Sequence, residues 1–125
     1  MAQATRVLIA DDSVRAREGL RALLTMWQEI EVVGEAANGQ DAVRLVAECR
    51  PDIVLMDLHM PVLDGVQATQ LIKQQWPAVT VVVLTMYAVE QSAALAAGAD
   101  AFLIKGSVPE RLLATLGVSV ASNKQ

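Results

Sequence analysis

Five short runs rich in β-branched residues recur along this chain: RVLIA at 6–10, EVVGEA at 31–36, DIVLMD at 52–57, TVVVLT at 80–85 and AFLIK at 101–105. Most are apolar throughout, the pattern of strands covered on both faces. Helical spacing fills the intervals. Leu20, Leu23, Leu24 and Trp27 fall at i, i+3, i+4 and i+7 on one face of a first helix. Ala42, Val43, Leu45, Val46 and Cys49 form a second stripe, opened by Asn38 and Gly39 and stopped by Pro51. A third helix is predicted over 65–75, with Val66, Ala68, Leu71 and Ile72 apolar and Pro77 beyond its end. A fourth covers about 89–97 and ends at Gly98, a favoured residue after a helix. The fifth opens with a Ser107-x-x-Glu110 capping box, has Pro109 in its first turn, and carries Leu112, Leu113 and Leu116. The order is (βα)5, and right-handed crossovers turn such alternation into a doubly wound parallel sheet.

At 125 residues, 54% of them hydrophobic, the chain amounts to one domain. It can bury roughly two-thirds of its unfolded surface, so it needs no disulfide or structural metal. Cys49, the single cysteine, closes no internal bridge and reads as a half-buried small hydrophobe. Ten basic residues against fourteen acidic ones, a net charge of −4, exclude a polypeptide that grips DNA or RNA by itself, because phosphates are neutralised by clustered Lys and Arg. The longest apolar run, VTVVVLTM at 79–86, falls far short of the ~20 residues that span a bilayer. No secretory signal follows MAQATR. These features point to a cytoplasmic protein without a membrane partner. Residues 1–125 read as one domain, with 118–125 as a frayed tail or linker.

In open α/β sheets, sites form outside the carboxyl ends of the strands. Those ends here carry Asp11, Asp12 and Ser13, then Asp57, Thr85 and Lys105. Taken singly, each has a plain explanation: an acidic helix cap, a turn former, a strand former, a lysine that snorkels outward. Together they gather three carboxylates, a hydroxyl and an ammonium. Ionised carboxylates so close repel one another, and a cation resolves the conflict. Oxygen-only ligands favour Mg²⁺. Zinc has no ligand set, since Cys49 lies at the far end of a helix and His59 stands alone. A carboxylate beside Mg²⁺ can attack phosphorus to give an aspartyl phosphate. The lysine and the hydroxyl would then meet the equatorial oxygens.

The segments VLIADDS, DIVLMDLHMPVLDG, VVVLT and AFLIK, in this order and spacing, closely resemble the receiver domain of two-component response regulators over residues 6–116. The resemblance implies a flavodoxin-like or CheY-like three-layer sandwich with strand order 2-1-3-4-5. It makes Asp57 the phosphoacceptor, Asp12 a direct Mg²⁺ ligand and Asp11 a ligand through water, with Asp57 and the backbone carbonyl of His59 completing the protein's share. Mn²⁺ would be a substitute for Mg²⁺. Thr85 would be the switch hydroxyl, Lys105 the phosphate-binding lysine and Phe102 an aromatic rotamer switch, although an aromatic in a strand is also ordinary core. His59 and Tyr87, each two residues past a site residue, are placed to modulate water attack on the acyl phosphate.

Gly106 follows Lys105 where many receivers have proline, and LTMY follows the fourth strand. Both features look like the NarL/FixJ subfamily, whose members usually carry a C-terminal helix-turn-helix domain. No such domain follows before Gln125, so DNA would be reached only through an output domain absent from this chain; the alternative is a stand-alone regulator acting by protein contacts or phosphorelay. The implied function is a phosphorylation-activated signalling switch, not a turnover enzyme. Its implied partners are a sensor histidine kinase and, on phosphorylation, a second copy. A haloacid-dehalogenase-type phosphatase would need Asp-x-Asp, but Leu58-His59 follow Asp57. A flavodoxin-like cofactor binder would need a hydroxyl-rich loop where Asp11 and Asp12 stand. Trp27 and Trp76, at the C-terminal ends of helices, are assigned packing roles away from the site.

Overall fold

The computed structural model describes residues 4–106 and 109–117. Ser107 of the expected capping box and the expected tail at 118–125 lie outside them. The elements are β1 (Thr5–Ala10), α1 (Val14–Leu24), β2 (Ile30–Ala36), α2 (Gly39–Cys49), β3 (Ile53–Asp57), α3 (Gly65–Gln75), β4 (Thr80–Thr85), a 3-10 turn (Ala88–Glu90) running into α4 (Gln91–Ala96), β5 (Ala101–Ile104) and α5 (Pro109–Thr115). All strand pairs are parallel, and the order is β2-β1-β3-β4-β5. Chain order reverses between β1 and β3, which places the crevice for a site at their carboxyl ends.

Local chemistry sets the helix starts. The Ser13 hydroxyl accepts the Ala16 N–H at 3.1 Å, so Ser13 caps α1 and neither Asp11 nor Asp12 has that role. Asn38 accepts the Asp41 N–H at 2.8 Å. Asp64 and Gln67 form a reciprocal capping box on α3. Two expectations shift. α1 ends at Leu24, which leaves Trp27 in the following turn, still packed on the core. Leu71 lies off the apolar face of α3 and is exposed.

The two faces of the sheet share out consecutive strand residues. Leu8, Ala10, Val54, Met56, Val81 and Val83 pack with α2, α3 and α4. Val7, Ile9, Ile53, Leu55, Val82 and Leu84 pack with α1 and α5. Full burial of each large side chain contributes about 1.5–3 kcal/mol. The same alternation decides where the polar strand ends go. Asp11, Asp57 and Lys105 continue the α1/α5 series, whereas Thr85 continues the opposite one. Phe102 also packs on the α2–α4 side, and its partner in the ladder is Val83, two residues before Thr85.

The loop from β3 to α3 is tightly held. A Cβ on Gly65 would lie 2.1 Å from the Asp57 carbonyl oxygen, and one on Gly39 equally close to the Leu63 carbonyl. Between them the Leu63 N–H donates to the Pro61 carbonyl at 2.8 Å, around Val62 with φ of +70°. This three-residue turn is strained for a β-branched residue. Val62 is 75% exposed, so a substitution there disturbs little packing. Val62→Gly is expected to stabilise the fold by about 0.5–1 kcal/mol, strain relief outweighing the added chain entropy. Urea unfolding checks it; a lower midpoint at unchanged slope would remove the strain argument.

Candidate functional site

β1 and β3 end side by side and deliver two buried carboxylates, Asp11 at 2% exposure and Asp57 at 5%. The ladder runs one residue beyond the strands on either side: the Asp11 N–H donates to Ala36 O at 3.0 Å and the Lys105 N–H to Thr85 O at 2.7 Å. That extension fixes both backbones. The Lys105 ammonium then donates to Asp11 Oδ2 at 2.8 Å and lies 3.4 Å from Asp57 Oδ2. Asp11 Oδ1 accepts the Ser13 N–H at 2.9 Å, and Asp57 Oδ1 accepts the His59 N–H at 3.3 Å. Asp12 is exposed at the rim.

Ligand oxygens of Asp11, Asp12 and Asp57 all lie within 4.8 Å of one another. Three carboxylates against one ammonium leave two negative charges uncompensated when all are ionised. Burial, reinforced by the charge of Asp11, raises the Asp57 pKa above its ordinary 3.8, against the opposing pull of Lys105 and the His59 N–H. Burial works against the Lys105 charge too, but the hydrogen bond to Asp11 and the fields of Asp57 and Asp11 outweigh it and hold its pKa above 10.5. An oxygen-lined, electron-rich pocket of this kind fits a hard metal ion.

The structure therefore brings Asp11, Asp12, Asp57 and Lys105 together. Thr85, fully buried, ends the neighbouring strand one step past Leu84, the ladder partner of Asp57. Phe102 is half-buried on the same side of the sheet as Thr85. His59 and Tyr87 are exposed and meet edge to face at 5.8 Å. His59 has a partner: its Nε2 lies 2.7 Å from Glu90 Oε2.

Two features escape a reading of the sequence. Arg17 of α1 donates from Nη1 to the Asp11 carbonyl at 2.6 Å and from Nε to Glu35 Oε1 at 3.1 Å. Arg21, one turn later, donates to the other oxygen of Glu35 at 2.7 Å. This cluster fastens the end of β1 to β2. Its only trace in the sequence is a glutamate, Glu35, near the end of the β2 run and two arginines four apart. The second is Glu90, which also accepts the Thr85 hydroxyl at 2.5 Å; nothing in the sequence separates it from any acidic residue near a helix start.

The family model of the response regulator receiver domain matches residues 7–117. Among curated proteins, the chain is 46% identical over 112 residues to the uncharacterized transcriptional regulatory protein YhcZ of Bacillus subtilis, covering 88% of this chain and 52% of that protein. It is 41% identical over 104 residues to the response regulator protein VraR of Staphylococcus epidermidis, covering 82% and 50%. The chain thus spans about half the length of these relatives. The response regulator domain of Thermotoga maritima CheB superposes with a TM-score of 0.85 at 30% identity, covering 92% of this chain and 95% of that one. The receiver domain of the putative response regulator NarL from Mycobacterium tuberculosis gives 0.85 at 29% identity, covering 93% and 98%. No helix among the described residues is long and apolar enough to cross a membrane. A matched core of 7–117, five parallel strands in the order 2-1-3-4-5 and relatives of this one kind mean that the chain belongs to the response regulator receiver domain family.

Proposed function

We propose that this receiver domain accepts a phosphoryl group from the phosphohistidine of a sensor histidine kinase onto Asp57, and that the aspartyl phosphate switches an output, transcription in the case the relatives' names suggest. The observation that carries the reading is the placement of Asp57: a buried carboxylate at the end of a central strand, 3.4 Å from the Lys105 ammonium and within 4.8 Å of two further carboxylates. Asp12 and Asp57 would hold Mg²⁺, or Mn²⁺ in its place, with Asp11 through water and the His59 backbone carbonyl. Bound there, the ion would offset negative charge on the incoming phosphoryl group.

The chain's own groups do the rest. An Asp57 carboxylate oxygen forms the new bond to phosphorus as the phosphorus–nitrogen bond breaks, and the departing imidazole keeps the electron pair. Lys105 donates to one phosphoryl oxygen and the Thr85 hydroxyl to another. Once Thr85 has turned, Phe102 on the same sheet face has room to follow, and the altered surface around β5 takes a partner or a second copy. His59 and Tyr87 stand at the rim as modulators of hydrolysis. Acetyl phosphate with Mg²⁺ supplies a direct test. One phosphoryl group per chain is expected, located by mass spectrometry on the peptide bearing Asp57 and absent when Mg²⁺ is chelated. A label on any other residue would overturn the assignment.

A further inference from the structure

Among the groups around the site, one carboxylate has no place in the chemistry above. Glu90 closes the 3-10 turn after β4, with its side chain 23% exposed. One of its oxygens accepts the Thr85 hydroxyl and the other meets His59 Nε2 at 2.7 Å. A single side chain thus ties the residue that ends β4 to the loop that follows β3.

The Thr85 hydroxyl has one hydrogen to give. Its oxygen already accepts the Tyr87 N–H at 3.3 Å, and the residue has no solvent exposure, so Glu90 is the partner of that hydrogen. A phosphoryl oxygen on Asp57 needs the same hydrogen. The two acceptors are mutually exclusive, and both are anionic.

We propose that Glu90 is the positioning residue of the resting state: it holds the Thr85 hydrogen until a phosphoryl group on Asp57 competes it away. The proposal rests on Asp57 as the acceptor. Hydrogen bonds to ionised groups are stronger than neutral ones, so the Glu90 contact biases the switch toward rest and lowers the apparent affinity for any phosphoryl group. Release also has a route outward. The turn that carries Glu90 and the two residues before it display Met86, Tyr87 and Val89, all more than half exposed, and Tyr87 packs against the same His59 ring. Loss of the Thr85 contact frees this turn from β4 at one point and leaves it held through His59.

Beryllofluoride with Mg²⁺ is the phosphoryl probe, titrated by calorimetry into the full chain. Glu90→Gln and Glu90→Ala are expected to bind it about tenfold more tightly than wild type. Removing a negative charge near the site would by itself favour an anion, so the same substitution is repeated in a Thr85→Val background. There Glu90→Gln is expected to change binding by less than roughly twofold, because no hydrogen is left to contest. Glu90→Gln keeps the shape of the side chain and carries the test if Glu90→Ala loses its circular dichroism spectrum. Unchanged or weaker binding in the Glu90 variants overturns the proposal, as does a gain of equal size without the Thr85 hydroxyl. Wild-type binding that is absent, or that survives Asp57→Asn, defeats the acceptor assignment and the proposal with it.

Discussion

Asp57→Asn is expected to abolish phosphoryl labelling and, at the same time, to make the fold more stable at neutral pH. The loss follows from chemistry, because a carboxamide is not a nucleophile toward phosphorus under these conditions. The gain follows from electrostatics. Asp57 is 5% exposed, and burial together with the Asp11 charge raises its pKa above 3.8. In the unfolded chain it ionises near the ordinary value, so between the two pKa values the native state binds more protons. Stability therefore falls as pH climbs from about 3.8 through the raised native value, and stays lowered above it. An asparagine escapes that penalty. The expected gain at pH 7 is on the order of 1 kcal/mol, or about 3–5 °C in Tm for a domain of this size, and it disappears near pH 3, where wild type is protonated in both states. Mg²⁺ is expected to raise the Tm of wild type more than that of the variant, since the ion binds the native state only. Thermal unfolding at the two pH values decides the matter; a variant less stable than wild type at pH 7 would show that Lys105 outweighs burial at Asp57.

The same balance explains what could and could not be read from the chain alone. Strands covered on both faces read as continuous apolar runs, so RVLIA and TVVVLT announced a doubly wound sheet. Asn38 before α2 and Gly65 at the start of α3 marked their boundaries for local reasons, a side-chain cap and a close backbone approach to Asp57. Because both faces are apolar, however, nothing in the runs says which side a terminal residue takes. Register and packing supply that, setting Asp57 and Lys105 on the α1/α5 side and Thr85 with Phe102 on the other. Arg17 and Glu90 were illegible for a related reason. An arginine on an amphipathic helix and a glutamate near a helix start both read as solvated surface, and their partners, Glu35 and His59, are distant in sequence.

Lys105→Met is expected to act in the opposite direction to Asp57→Asn and with larger size. Methionine keeps the apolar stem but removes the cation from two carboxylates that are almost fully buried, Asp11 and Asp57. Breaking a buried ion pair from one side costs about 3–5 kcal/mol. The Lys105 side chain is 24% exposed, and hydration already weakens its hold, so about 2–3 kcal/mol is expected at pH 7. Its own titration does not enter at pH 7, because its pKa is raised above 10.5; its contribution is complete below that ordinary value and is lost as pH climbs from there through the raised one. The cost should shrink as pH falls and Asp57, whose pKa is raised by burial, gains its proton. It should shrink again in the Lys105→Met/Asp57→Asn double variant, where one buried charge has gone, so the two substitutions must be non-additive. Mg²⁺ gives the sharpest reading. In wild type the ammonium occupies Asp11 Oδ2 at 2.8 Å and adds positive charge where a metal would sit. Its removal should therefore tighten Mg²⁺ binding by about tenfold, some 1.4 kcal/mol, while the yield of phosphoryl labelling falls for want of a donor to the phosphoryl oxygens. Tighter metal binding together with poorer phosphorylation separates a lysine that serves the phosphoryl group from one that merely braces the fold. Weaker Mg²⁺ binding in Lys105→Met would assign it the bracing role.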